Sequence, residues 1–333
     1  GNFAHNYLEK KMSADGIKYE ILNENKVFND TTLSIIPFDQ GKNYDVDSAL
    51  VCTYNNECIV HLNDCIFNES FLSRVKEQSP GNIDIALIGY AGANSYPHTY
   101  YEDESSLLKK SSEKIKFGIE RYIKIKDFIG AKKNMPFAGK YILGGKLQHL
   151  NKYMGIPDPV IVLEHDSNAF VLNDGGDAYI DTNSLNDEKH LRLQPYEDGL
   201  LKKRLNQIKD IKLDYELDIK DSFIKKYPLI KAMRTAYARA IQKSECATDY
   251  FWSIKYRDQF ISLNSNKNDY QFNISTNVED LYPRNEIYID ERLLVGLISG
   301  LYHWNNAAIG SLYFQKRKPD KFNKDAENFL SFL

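Results

Sequence analysis

Asp47-Ser-Ala-Leu-Val-Cys-Thr-Tyr-Asn-Asn-Glu-Cys-Ile-Val-His-Leu-Asn-Asp64 reads as two short apolar strands joined by an asparagine pair. Asparagine tolerates the positive φ that a tight hairpin turn needs, so residues 47–54 and 57–62 are expected to pair antiparallel. The second strand delivers an aspartate, Asp64, into the loop at its carboxyl end. Outward from this hairpin, 17–23 and 31–37 read as strands, and a helix is expected near 69–77 with Asn68 as its N-cap. A buried strand, 83–88, then runs into the loop Gly89-Tyr-Ala-Gly92. A long helix follows from about Asp103 to Gly130, with Ile115, Ile119, Tyr122 and Ile123 on its apolar side, and then a strand in 134–143. Strands alternating with helices make an α/β pattern.

Further along, Val160–Leu163 reads as a strand, and Gly175-Gly176 with the polar stretch 181–191 is the best boundary. Amphipathic helices are expected at about 197–209 and 219–242, an alternating strand region at 251–276, and a helix at 290–299 ended by Gly300. With 333 residues, 42% of them hydrophobic, the chain has room for two cores at about 100–200 residues per domain. The domains expected are 1–174 and 175–333.

The 43 basic and 46 acidic residues leave a net charge of −3, against a nucleic-acid partner held by phosphate attraction. Lys202-Lys-Arg204 and Lys316-Arg-Lys318 read as solvated faces. No apolar run approaches the ~20 residues of a membrane span. Four cysteines (Cys52, Cys58, Cys65, Cys246) are too few for a disulfide framework and suit a reducing, cytoplasmic setting. Cys58 and Cys65 lack the close spacing of a zinc site and read as packing residues.

Asp64 carries the strongest chemical signal, because a carboxylate at a strand's carboxyl end can bridge cations. The competing reading has it capping the next helix or closing a turn. His61 reads as a core histidine. His98, in Tyr96-Pro-His-Thr-Tyr-Tyr101, sits among aromatic residues, as a stacking group or as exposed aromatic packing. His165 reads as part of a turn, and His303 beside Trp304 as packing, a ligand or a base. No H-x-H-x-D-H, HExxH, Walker-type loop, GxSxG or dinucleotide fingerprint occurs.

Ser34-Ile-Ile-Pro-Phe38, Asp47-Ser-Ala-Leu-Val51, His61-Leu-Asn-Asp-Cys65, the run Asp84–Pro97, Met135-Pro-Phe-Ala-Gly139, Trp304–Gly310 and Arg317-Lys-Pro-Asp320 keep one order along the chain. Together they resemble the metallo-β-lactamase-like part of the CMP-N-acetylneuraminic acid hydroxylase family. The resemblance implies an α/β fold: the second half of an αββα metallo-β-lactamase-type sandwich followed by an α+β C-terminal domain. It also implies a divalent metal, zinc first and iron second, that activates water.

Carried over residue by residue, Asp64 matches the family's bridging aspartate. The histidine expected just before Asp47 is replaced by Asn43 or Asp45, and the last histidine of the related hydrolases falls at Phe137 or Ala138. The histidine-rich motif and the first sheet would lie upstream of Gly1. No Cys-x-His pair occurs, so the Rieske domain of the sialic acid hydroxylases has no counterpart here. On this reading Asp64 is a metal ligand, Tyr90, Asn94 and Tyr96 are substrate-binding, and His98 is an acid–base group. The substrate is a small molecule, a nucleotide sugar or another phosphorylated compound, and an N-terminal fragment or second chain is a partner. The alternative is a catalytically inactive binding or assembly module.

Overall fold

The computed structural model describes residues 7–21, 25–41, 47–137, 139–173 and 191–333. Asn43, Asp45, Ala138 and the Gly175-Gly176 boundary lie outside the described residues. The chain divides into two compact units, one formed by 1–93, 112–141 and 155–201, the other by 94–111, 142–154 and 202–333. The fold is α/β, with two mixed sheets.

In the first unit a helix, α1 (Tyr7–Ala14), precedes β1 (Lys26–Phe28), β2 (Thr31–Pro37), β3 (Ser48–Tyr54) and β4 (Glu57–His61), which form an antiparallel meander. Asn55 and Asn56 take φ of 47° and 68°, the left-handed pair that a two-residue hairpin needs. α2 (Glu69–Glu77) starts where expected, because the Asn68 Oδ1 accepts from the Phe71 amide at 2.9 Å. β5 (Ile85–Gly89) then pairs parallel to β4 and β6 (Lys133–Phe137) parallel to β5, with α3 (Glu104–Ile129) between β5 and β6 in sequence.

Alternation sets the two faces of this sheet. Ser34, Ile36, Ala49, Val51, Cys58, Val60, Ala86 and Ile88 are buried on one face. The other face carries Leu33, Ile35, Leu50, Cys52, Ile59, Leu87 and Met135, all half-buried or exposed, with Leu50 at 38% and Ile59 at 42% exposure. Cys58 and Cys65 are buried packing residues, as read from the sequence.

In the second unit the sheet order is β11-β10-β7-β8-β9, built from β7 (Phe251–Tyr256), β8 (Gln259–Asn264), β9 (Phe272–Ser275), β10 (Arg284–Tyr288) and β11 (Phe314–Lys318). α4 (Asp198–Ile208) belongs to both units' ranges. The core gathers Trp252, Ile254, Ile261, Leu263 and Ile287 from the sheet. Met233, Tyr237 and Ala240 join from α7 (Leu229–Ser244), Leu293, Leu294 and Leu297 from α8 (Glu291–Ile298), and Phe329 and Leu330 from α10 (Lys324–Phe332).

Several expectations are corrected. Residues 17–21 form no strand, while 22–23 lie outside the described residues. Val160–Leu163 belongs to a 3-10 helix, Pro159–Glu164, because Pro159 presets a helical φ and Asp158 caps the Val160 amide at 3.1 Å. The helix expected at 219–242 is two pieces, α6 (Asp221–Ile224) and α7, since Pro228 cannot continue the hydrogen-bond ladder, and the short α5 (Asp214–Asp218) before them was not expected. The strand in 134–143 is only β6. β10, β11, the 3-10 helix Gly145–Tyr153, α9 (Trp304–Ile309) and α10 were not expected. Among the described residues no helix is long and apolar enough to cross a membrane.

Candidate functional site

Strands β4, β5 and β6 run parallel and end together, and open α/β sheets place ligands at such carboxyl edges. β4 ends in a turn at Asn63 (φ 50°), which leaves the side chain of Asp64 exposed. Asp64 does not cap α2; Asn68 does. The Asn63 amide donates to the His61 Nδ1 at 3.2 Å, and the Asn63 Nδ2 donates to the Asp47 Oδ1 at 3.4 Å, so the turn is tied to the start of β3. The His61 ring meets Phe137 edge-on at 4.2 Å. Burial holds the His61 pKa below its ordinary value, opposed by the Asp64 carboxylate. Burial also pushes Cys65 up to about 12, and the carboxylates of Asp47 and Asp64 act the same way, so Cys65 is a thiol and no nucleophile at neutral pH.

Arg121, on α3, was missing from the sequence reading. Its Nη2 donates to the Ala91 carbonyl at 3.3 Å, burial lowers its pKa, and the Asp64 charge opposes that fall. Arg121 thus lies within electrostatic range of the candidate ligand. The one hint in the sequence was an arginine placed between Ile119 and Tyr122 on the apolar side of a helix.

Tyr90 is closed into the core of the first unit at 1% exposure, its hydroxyl donating to the Pro157 carbonyl at 3.1 Å. Asn94, Tyr96 and His98 belong to the second unit. Asn94 is exposed, and its Oδ1 accepts from the Tyr96 amide at 3.2 Å. Tyr96 is half-buried, with the Arg317 guanidinium 5.0 Å from its ring. The idea of exposed packing at His98 is corrected: the residue is fully buried, with Nε2 2.6 Å from the Ser311 Oγ. His165 closes the 3-10 helix, and His303 caps α9, its Nδ1 accepting from the Asn305 amide. Arg317 is 10% exposed and ion-paired to Asp320 at 2.8 Å, so it does not lie on a solvated face.

Behind this aromatic group, burial raises the Glu327 carboxyl from 4.5 to about 7, offset in part by Arg317. The raised pKa sets the sign of its contribution: stability is full below pH 4.5 and is lost as pH rises through about 7. The shift corresponds to about 3 kcal/mol. Urea unfolding of the wild type relative to Glu327→Gln is expected to show this loss between those pH values, and a flat difference would refute it.

Among the described residues no group of three His, Cys, Asp or Glu side chains is placed to hold a metal ion. The described residues therefore do not form a complete centre.

No protein-family profile and no curated protein matches the chain. Among solved structures it is similar to a metallo-β-lactamase superfamily protein from Thermotoga maritima, at 13% identity, 46% of this chain, 60% of that chain and a TM-score of 0.28. It is also similar to the metallo-β-lactamase-fold protein YhfI from Bacillus subtilis, at 12% identity, 41% and 53% coverage and a TM-score of 0.24. A third, a variant of CmlA β-hydroxylase, shows 15% identity, 42% and 27% coverage and a TM-score of 0.25. The aligned part spans less than two thirds of each of these structures. These are partial likenesses, and no property of those proteins follows from them.

Proposed function

We propose that the first unit is one layer of a metal-dependent hydrolase or oxidoreductase of the metallo-β-lactamase fold, acting on a nucleotide-linked or otherwise phosphorylated small molecule. Asp64 is its metal ligand, and an N-terminal fragment or a second chain contributes the ligands that the described residues lack. One observation carries this reading. The sheet that presents Asp64 at its carboxyl edge leaves Leu50, Ile59 and Tyr54 at 38%, 42% and 47% exposure on a single face. Contiguous apolar surface of this kind marks a site where another layer packs. Each square ångström covered contributes roughly 25 cal/mol. The reading rests on the first unit alone.

A second reading, a catalytically inactive module that completes a complex, draws on the missing three-ligand cluster. Native mass spectrometry with elemental analysis separates the two. The metalloenzyme reading expects about one or two metal ions per chain in material that includes the upstream segment or partner, lost in Asp64→Ala. A complex that forms but stays metal-free would sink that reading and leave the assembly module.

A further inference from the structure

The second unit carries a cleft of about 400 Å³ on the sheet face turned away from its apolar core. That volume falls in the range of small-molecule sites, about 300–1,000 Å³. Its floor is β10 and β11, where Arg284 opposes Lys318 and Glu286 opposes Lys316 in antiparallel register. Of the three acidic side chains that line the cleft, Glu279, Glu286 and Asp320, the last two are already engaged. The Glu286 carboxylate accepts from the Arg284 Nε at 2.9 Å and from the Tyr288 hydroxyl at 2.7 Å. Arg284 is in turn fixed by the carbonyls of Glu279 and Leu281, both at 3.2 Å. Asp320 accepts from the Arg317 Nε and the Tyr101 hydroxyl.

Two lysines remain. Lys316 pairs with Glu102 at 2.6 Å, but both side chains are exposed (47% and 77%), and such surface pairs contribute little. Among the described residues Lys318 has no ion-pair partner. The two ammonium groups rise from the same strand face about 7 Å apart at the root. Beside them the Tyr288 ring lies under the Lys316 Nζ at 5.3 Å and meets Phe260 edge-on at 6.0 Å. Tyr101 adds a third ring to the lining.

We infer that this cleft binds a nucleoside monophosphate. The phosphate is held between Lys316 and Lys318, the base lies against Tyr288 and Tyr101, and the ribose hydroxyls donate to the remaining lone pairs of Glu286. Neutralised carboxylates suit this role, since they accept from hydroxyls without repelling the phosphate. Aromatic faces take a base at roughly 1–3 kcal/mol each. The inference is independent of the metal-site reading, because every residue in it belongs to the second unit.

Calorimetric titration of the whole chain with AMP, adenosine, ribose 5-phosphate and inorganic phosphate tests it. AMP is expected to bind tighter than the other three. Lys316→Ala/Lys318→Ala is expected to weaken AMP at least about tenfold, as loss of charge-assisted bonds implies. Tyr288→Ala is expected to weaken AMP and leave ribose 5-phosphate unchanged. Circular dichroism checks that each variant folds; both lysines are exposed, so the double variant should. No heat with AMP, an unchanged affinity in the double-lysine variant, or equal binding of inorganic phosphate and AMP would each overturn the assignment.

Discussion

Trp252→Ala is expected to destabilise the second unit by about 3–5 kcal/mol, the range for removing a large aromatic side chain from a packed core. Trp252 has no exposed surface and sits on the apolar face of β7, among Ile254, Ile261, Leu263 and Ile287 from the sheet and Tyr250 at 5.3 Å between ring centroids. No neighbour is placed to collapse into the space, since the sheet holds it on one side and α7, α8 and α10 hold the other. The same residue carries a second effect of opposite sign. Its buried indole Nε1 has no hydrogen-bond partner among the described residues, a desolvation cost of about 1–3 kcal/mol. Trp252→Phe removes that donor along with part of the volume, so its loss is expected to be well under half that of Trp252→Ala. Urea unfolding followed by near-ultraviolet dichroism reads both. Equal losses in the two variants would show that the unpaired indole is not costly.

Gly118→Ala is the expected second large effect, on the first unit. In an exposed helix interior this change would stabilise by about 1 kcal/mol, because alanine is the better helix former. Here a Cβ would stand 2.4 Å from the Tyr90 carbonyl oxygen, which belongs to backbone and not to a side chain that can swing away. Overpacking of this kind costs about 1–3 kcal/mol, so the clash outweighs the propensity gain and α3 must move outward. Arg121 follows one turn later on the same helix, and its bond to the Ala91 carbonyl and its field at Asp64 move with it. Thermal unfolding is expected to shift downward in Gly118→Ala and to stay within about 0.5 kcal/mol in Gly81→Ala, where nothing lies within 4 Å of the added carbon. A stabilised Gly118→Ala would mean that α3 has room to shift, and the close approach at the candidate site would lose its significance.

What could be read before folding was local. The Asn55-Asn56 turn, the Asn68 cap and the alternation of β2, β3 and β4 involve residues only a few positions apart, and their chemistry is written in residue type. The same locality failed where charge hid the pattern. β10 and β11 read Arg-Asn-Glu-Ile-Tyr and Phe-Gln-Lys-Arg-Lys, and no apolar alternation announces a strand whose outward positions form a polar cleft. Val160–Leu163 failed for the reverse reason: an apolar run looks like a strand until the proline and the capping aspartate before it are weighed.

The sequence by itself determined the mixed α/β class, the hairpin that presents Asp64, and the buried packing role of Cys58 and Cys65. Only the tertiary structure decided which groups meet. It brought Arg121 to the Ala91 carbonyl, closed His98 onto Ser311 across 213 residues of chain, and set Arg284 opposite Lys318. It also joined Tyr122 and Asn134 to the buried Asp166 carboxylate, both at 2.9 Å. The physical reason is range. A turn or a cap is satisfied by its own neighbours, whereas the burial of a charge and the partner that compensates it exist only once distant segments have packed.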